Sequence, residues 1–132
     1  MYIYYIYIYM RVYVFLITSI ILVILDSIYL NVAKNYFNKQ INLVQGSNID
    51  LNLTAVVLCY IFIIIGFNYF VIYKKLSSAE AGLLGLMIYG IYELTNMALF
   101  KKWQWSSVVM DTAWGGALFF LTSVIVRMFF KI

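Results

Sequence analysis

The sequence contains no histidine, no proline, a single cysteine and few charged residues. One cysteine cannot form an intrachain disulfide, and the lack of histidine argues against zinc, haem and a histidine base. We therefore expect no cofactor, and the sequence leaves any metal undecided. Charged residues make up 11% of the 132 residues, whereas a soluble domain has about 25%. Because so few charges cannot cover a water-facing surface, lipid must cover most of this protein.

Apolar residues dominate instead, with 66% hydrophobic and 20% aromatic residues. The net charge is +4, but the basic residues stand at the ends of apolar runs, as in Lys74-Lys75 and Lys101-Lys102. That placement is typical of membrane boundaries, whereas nucleic-acid binding needs a basic face that is missing here. We expect the lipid bilayer as partner, no nucleic acid, and one membrane domain over residues 1–132. The surplus of Ile, Tyr, Phe, Asn and Lys indicates an AT-rich coding genome, such as that of a large DNA virus or an AT-rich microbe.

Four apolar runs approach the roughly 20 residues that a membrane helix requires. They cover about residues 12–30, 51–73, 79–100 and 108–130. The loops after the second and third runs are short, which makes neighbouring helices antiparallel. Between the first two runs, Val32, Tyr36, Ile41 and Val44 recur at near-helical spacing, and Gly46 is placed to end a helix. We thus predict an all-α fold, an integral membrane four-span antiparallel helix bundle with a short interfacial helix between spans one and two.

Basic residues at the two ends of this bundle set its predicted orientation. The side with the termini and the second loop carries Arg11, Lys74, Lys75, Arg127 and Lys131. The other side carries four basic residues, Lys34, Lys39, Lys101 and Lys102. Since cytoplasmic loops carry the excess of Lys and Arg, we predict a multi-pass protein with cytoplasmic termini.

Three acidic residues lie inside the apolar runs. Asp26 is near the end of the first run, Glu93 near the end of the third, and Asp111 near the start of the fourth. In an antiparallel bundle these places are on one side of the membrane, roughly 5–10 Å below the interface at about 1.5 Å per residue. Each acid belongs to a polar stripe at helical spacing, so the stripes should face one another and bring the carboxyls together. With no basic residue at that depth, such carboxyls either hold protons or bind a cation.

Other residues near the acids are expected to complete a polar cavity. We predict that its further members are Tyr92, Thr95, Asn96 and Trp114. Trp103 and Trp105 are expected to anchor the chain at the interface, because tryptophan is enriched there. Gly82 and Gly85 are expected to mark close helix packing, since small residues let two helix backbones approach.

Three functions remain open at this point. The first is a proton- or cation-handling cavity lined by the three acids in one leaflet. The second is a structural or scaffolding protein of a viral or cellular membrane, whose acids only fix helix packing. The third is an enzyme on lipid-like substrates, which is favoured less because two carboxyls come with no nucleophile or cofactor motif, so we assign no catalytic residue. A homo-oligomer or a membrane-protein partner also remains open.

Three segments resemble the motifs of a family of small predicted membrane proteins, the domain of unknown function 2177. They are Leu25-Asp26-Ser27-Ile28-Tyr29-Leu30, then Tyr92-Glu93-Leu94-Thr95-Asn96 with the following Lys102-Trp103, and Asp111-Thr112-Ala113-Trp114-Gly115. The family pattern usually has Trp where this chain has Tyr29, and Asp where it has Glu93. The resemblance implies a four-span bundle with an acidic core that bears Thr and Asn, and it implies no activity.

Overall fold

The computed structural model describes residues 1–132 as an all-helical chain without strands. The elements are α1 (Tyr2–Gln45), α2 (Leu53–Phe67) with a π-helical continuation (Asn68–Tyr73), α3 (Ser78–Leu99) and α4 (Trp105–Phe129). Four helices, counting α2 and its continuation as one, are long and apolar enough to cross a membrane. The last three begin and end within three residues of the predicted spans. The predicted all-helical class with four membrane-length helices is therefore confirmed.

The first helix is much longer than its predicted span. α1 is one continuous helix of 44 residues, about 66 Å long at about 1.5 Å per residue. The predicted short interfacial helix is therefore wrong as a separate element, because residues 31–45 continue α1 with no glycine or proline to interrupt it. Gly46 does end the helix, with φ 77 and its N–H donated to the carbonyl of Asn42. Since the hydrocarbon layer is about 30 Å thick, α1 extends well beyond it.

The loop after α1 folds back along the last turns of that helix. Asn48 Oδ1 accepts from the amide groups of Asn38 and Asn42, each at 3.3 Å. The backbone N–H of Ile49 donates to Asn38 Oδ1 at 3.0 Å. These bonds hold residues 46–52 beside α1, and they bring Asp50 to the acid-bearing end of the bundle.

Helices α3 and α4 meet through glycines. A Cβ added at Gly85 would lie 2.1 Å from the carbonyl oxygen of Gly115, and one at Gly115 would lie 2.3 Å from Tyr89 Cγ. Further along, a Cβ at Gly90 would lie 3.3 Å from Thr112 Cγ2, so residue numbers rise along α3 while they fall along α4. The close packing predicted for Gly85 is confirmed, and it brings the backbones of α3 and α4 into contact.

An apolar core lies between the acids and the end of the bundle that carries the termini. Its fully buried members are Leu22, Phe67, Val71, Ala81, Leu118 and Phe119. Phe67 and Phe119 pack edge to face with ring centroids 5.1 Å apart. Leu22 lies one turn before Asp26 on α1, so this core directly adjoins the acids on one side.

Candidate functional site

A cavity of about 450 Å³ at one end of the bundle brings the three predicted acids together. Asp26 comes from α1, Glu93 from α3 and Asp111 from α4, and all three line its wall. Asp50, from the folded-back loop, is a fourth carboxyl on the same wall. No Lys or Arg lines the cavity. The cavity therefore concentrates negative charge without a basic side chain to compensate it.

Asp26 is the acid whose hydrogen bonds are complete. Its side chain is 6% exposed. Oδ1 accepts from Trp114 Nε1 at 2.9 Å, and Oδ2 accepts from the Tyr60 hydroxyl at 2.6 Å. The Trp114 ring also stacks on Tyr29 with centroids 4.5 Å apart. Because its donors come from α2 and α4, Asp26 ties α1 to both helices.

Glu93 and Asp111 have incomplete hydrogen bonding. Glu93 is 1% exposed, and its Oε2 accepts from Trp103 Nε1 at 2.8 Å. Its Oε1 is buried without a hydrogen-bond partner. The carboxyl of Asp111 lies beside that of Glu93, and Asp111 Oδ1 accepts from the Tyr29 hydroxyl at 3.0 Å. These two carboxyls are the pair with unused acceptor capacity.

Trp103 has a different position from the one predicted for it. The sequence predicts an interface anchor, but Trp103 is 5% exposed and donates to Glu93 inside the bundle. Trp105 is 62% exposed, as an interface anchor would be. Two tryptophans so close in sequence differ because Trp103 belongs to the loop before α4, whereas Trp105 begins the helix. In the sequence, the indication that Trp103 belongs with Glu93 was the Lys102-Trp103 pair that follows the second family-like segment.

Gln40 fixes the loop that carries Trp103. Its side chain is 2% exposed, and Nε2 donates to the carbonyl of Lys102 at 3.0 Å. Oε1 accepts from the backbone N–H of Gln104 at 3.1 Å and from the Ser107 hydroxyl at 2.8 Å. The residues on both sides of Trp103 are thus bonded to α1. The extended part of α1 therefore determines where the indole N–H meets Glu93.

The four predicted supporting residues divide into two groups. Trp114 bonds Asp26, and Tyr92 lines the cavity. Thr95 is exposed, and its hydroxyl donates back to the carbonyl of Ile91 at 2.7 Å. Asn96 does not line the cavity, and its Nδ2 is buried without a partner. Thr95 and Asn96 therefore do not bond the acids: Thr95 lies on another face of α3, and Asn96, although one turn from Glu93, does not line the cavity.

Sequence reasoning missed Asp50 and Tyr60, which donates to Asp26. Tyr29, which donates to Asp111, and Tyr89, which lines the cavity, belong to the polar stripes predicted to contain the acids. The chain has 13 tyrosines, so composition singles out none of them. Asp50 sits between two spans in a polar segment, where a carboxyl normally faces water.

Neutral groups supply every hydrogen bond that the three acids, two of them buried and Asp111 half-buried, receive from other side chains. The donors are tyrosine O–H and tryptophan N–H groups. No group of three His, Cys, Asp or Glu side chains is arranged to hold a metal ion. Two adjacent carboxyls, one buried and one half-buried, are stabilised when a proton or a bound cation reduces their charge. The site can therefore accept a proton or a monovalent positive group at Glu93 and Asp111.

Comparison with known proteins gives one match. No curated protein and no solved structure matches the chain. A protein family described as "Predicted membrane protein (DUF2177)" matches residues 11–128. The matched segment includes the three acids, their tyrosine and tryptophan donors, and Gln40. Because the match covers most of the sequence, the chain belongs to this family of predicted membrane proteins.

Proposed function

We propose that the cavity holds a proton or a small cation on the adjacent carboxyls of Glu93 and Asp111. The observation that carries this proposal is Glu93 Oε1, which is buried and unpartnered in a cavity lined by four carboxyls and no base. Two ionised carboxyls side by side repel each other, and burial of Glu93 strengthens that repulsion by lowering the local dielectric constant. A shared proton or a bound cation removes that repulsion and uses the free acceptor.

Access to this site is from one side of the membrane. Contacts pair Tyr13 with Phe130 and Asp26 with Trp114, which supports an antiparallel bundle with the cavity at the end of the first and third loops. The apolar core around Phe67 blocks access to the cavity from the opposite side of the membrane. A single chain is thus a binding protein open to one side, and a conduit would need a second copy. With cytoplasmic termini, the cavity faces away from the cytoplasm.

Substitution of the pair tests the proposal. Purified protein in detergent is examined for its thermal midpoint with added cations and for proton uptake after a pH jump, measured with an indicator dye. Wild type should respond to a cation or take up a proton, and Asp111→Asn and Glu93→Gln should each abolish that response. Glu80→Gln is the matched control, since Glu80 is exposed at the other end and a glutamine can still accept from the Ser77 N–H.

Two outcomes would contradict the proposal. One is a proton and cation response that neither Asp111→Asn nor Glu93→Gln alters. The other is an equal loss in Glu80→Gln, which would trace the response to general charge rather than to the cavity. Proteoliposome flux tests the carrier form of the proposal, and flux indifferent to both Asp111→Asn and Asp26→Asn rejects transport.

A structural role is the second candidate, and the bonding of Asp26 favours it for that residue. Both Asp26 oxygens are used by donors from other helices, as expected of an acid that fixes helix packing. If all the acids act in this way, substitutions at Asp26, Glu93 and Asp111 lower the thermal midpoint and change no proton or cation response.

A further inference from the structure

A second cavity, of about 440 Å³, lies between α1 and the end of α2, away from the acids. Its polar part is lined by Arg11, Lys75 and tyrosines, and its apolar part includes Val14, Phe15 and Ile65. No Asp or Glu side chain lines it. The cavity therefore combines positive charge with an apolar track, at the depth where the apolar runs end.

Arg11 at this cavity has no acceptor within the protein. Its guanidinium carbon lies 4.6 Å from the ring centroid of Tyr7 and 5.2 Å from that of Tyr73. These ring contacts fix the side chain but use none of its five N–H donors as hydrogen bonds to oxygen. An oxyanion with several oxygens, such as a phosphate, is the acceptor that a guanidinium matches best.

Arg127, at the same end of the bundle, differs from Arg11 because its guanidinium has hydrogen-bond acceptors within the protein. Its Nε donates to the Ser123 hydroxyl at 3.2 Å, one terminal nitrogen donates to the carbonyl of Ile132 at 3.2 Å, and the other to that of Leu76. Arg127 is thus occupied in holding the helix ends together. Arg11 is positioned by its neighbours yet left without a hydrogen-bond partner.

Charge at this end is also unbalanced. Its basic residues are Arg11, Lys74, Lys75, Arg127 and Lys131. The acidic side chain near them is Glu80, which already accepts from the N–H and the hydroxyl of Ser77, both at 2.7 Å. Glu80 is therefore not free to pair with these basic residues, and the anions that a membrane surface offers them are lipid headgroups.

We propose that this cavity binds one anionic phospholipid. Its phosphate lies between Arg11 and Lys75, and an acyl chain runs along Val14, Phe15 and Ile65. A zwitterionic phospholipid fits less well because its headgroup amine would sit among the basic residues. The proposal is independent of the acid cavity, since the two sites share no residue.

Lipid retention tests the proposal. The purified full chain in detergent is mixed with equal phosphatidylglycerol and phosphatidylcholine, and bound lipid is counted by native mass spectrometry. We expect one phosphatidylglycerol per chain. Arg11→Gln and Lys75→Gln should each weaken its retention about fivefold, the effect of one basic group near the membrane surface. Lys34→Gln removes an equal charge at the opposite end and should leave retention unchanged.

Three results would overturn the proposal. They are equal retention in Arg11→Gln and Lys34→Gln, equal retention of phosphatidylcholine, and displacement of the lipid by millimolar inorganic phosphate, which would indicate a free-anion site. If circular dichroism shows that Arg11→Gln does not fold, lipid retention is compared between wild type, Lys75→Gln and Arg11→Lys instead. Arg11→Lys should keep most of the retention, since the positive charge remains.

Discussion

Adding one methyl group at Gly85 should separate α3 from α4. The Cβ of Gly85→Ala would lie 2.1 Å from the Gly115 carbonyl oxygen and 2.7 Å from Phe119 Cβ. The nearer atom belongs to a helix backbone, so no side-chain rotation relieves the overlap and the helices must move apart. Overpacking typically costs about 1–3 kcal/mol, and the backbone contact puts Gly85→Ala near the upper end. Alanine's better helix propensity returns only about 0.5–1 kcal/mol.

The assay is reversible unfolding in mixed dodecyl maltoside and SDS micelles, followed by far-ultraviolet circular dichroism. Gly85→Ala should lower the free energy of unfolding by about 2 kcal/mol net of the helix-propensity gain. Gly66→Ala is the matched control, because a Cβ there has no heavy atom within 4 Å. It should raise that free energy by up to about 1 kcal/mol. Equal stability of the two variants would refute the reasoning.

Two further substitutions test the bonding around the acids. Asp26→Leu leaves two half-buried donors, one on α2 and one on α4, without an acceptor, so the free energy of unfolding should fall by about 2–4 kcal/mol. Asp26→Asn should lose less, and equal losses would contradict the bonding described. Trp103→Phe keeps an aromatic ring but removes the N–H donated to Glu93, and should cost about 1–2 kcal/mol. In a double-mutant cycle with Glu93→Gln, the two effects should be non-additive by at least about 0.5 kcal/mol, and strict additivity would argue against the contact.

Sequence patterns predicted the helices well because the relevant signals are local. The length of an apolar run sets whether it can cross a membrane, and this needs no knowledge of neighbouring helices. Gly46 ended α1 as predicted, since a glycine readily adopts the left-handed conformation that closes a helix. The same local view went wrong over residues 31–45, where polar residues suggested a separate element. A change from apolar to polar composition marks a membrane boundary but does not interrupt backbone hydrogen bonding.

The candidate site was only partly predictable. The predicted antiparallel topology and the depth of the acids place Asp26, Glu93 and Asp111 at one end, and the structure puts all three on one cavity. Thr95 and Asn96 stand with Glu93 in one family-like segment, and Asn96 also shares its polar stripe. Thr95 points to another face of α3, and Asn96 does not line the cavity. Spacing along a single helix could not indicate Tyr60 as a donor, because its contact with Asp26 joins residues on different helices.

The sequence by itself determined that this is a four-helix membrane protein with acids at one end and a glycine contact between two helices. Those properties follow from composition and from spacing along single helices. Only the tertiary structure decided which acid is fully bonded and which is not. Asp26 received two donors, whereas Glu93 kept a buried oxygen without a partner. The physical reason is that hydrogen bonding depends on helix rotation and loop path, which arise when the helices pack together.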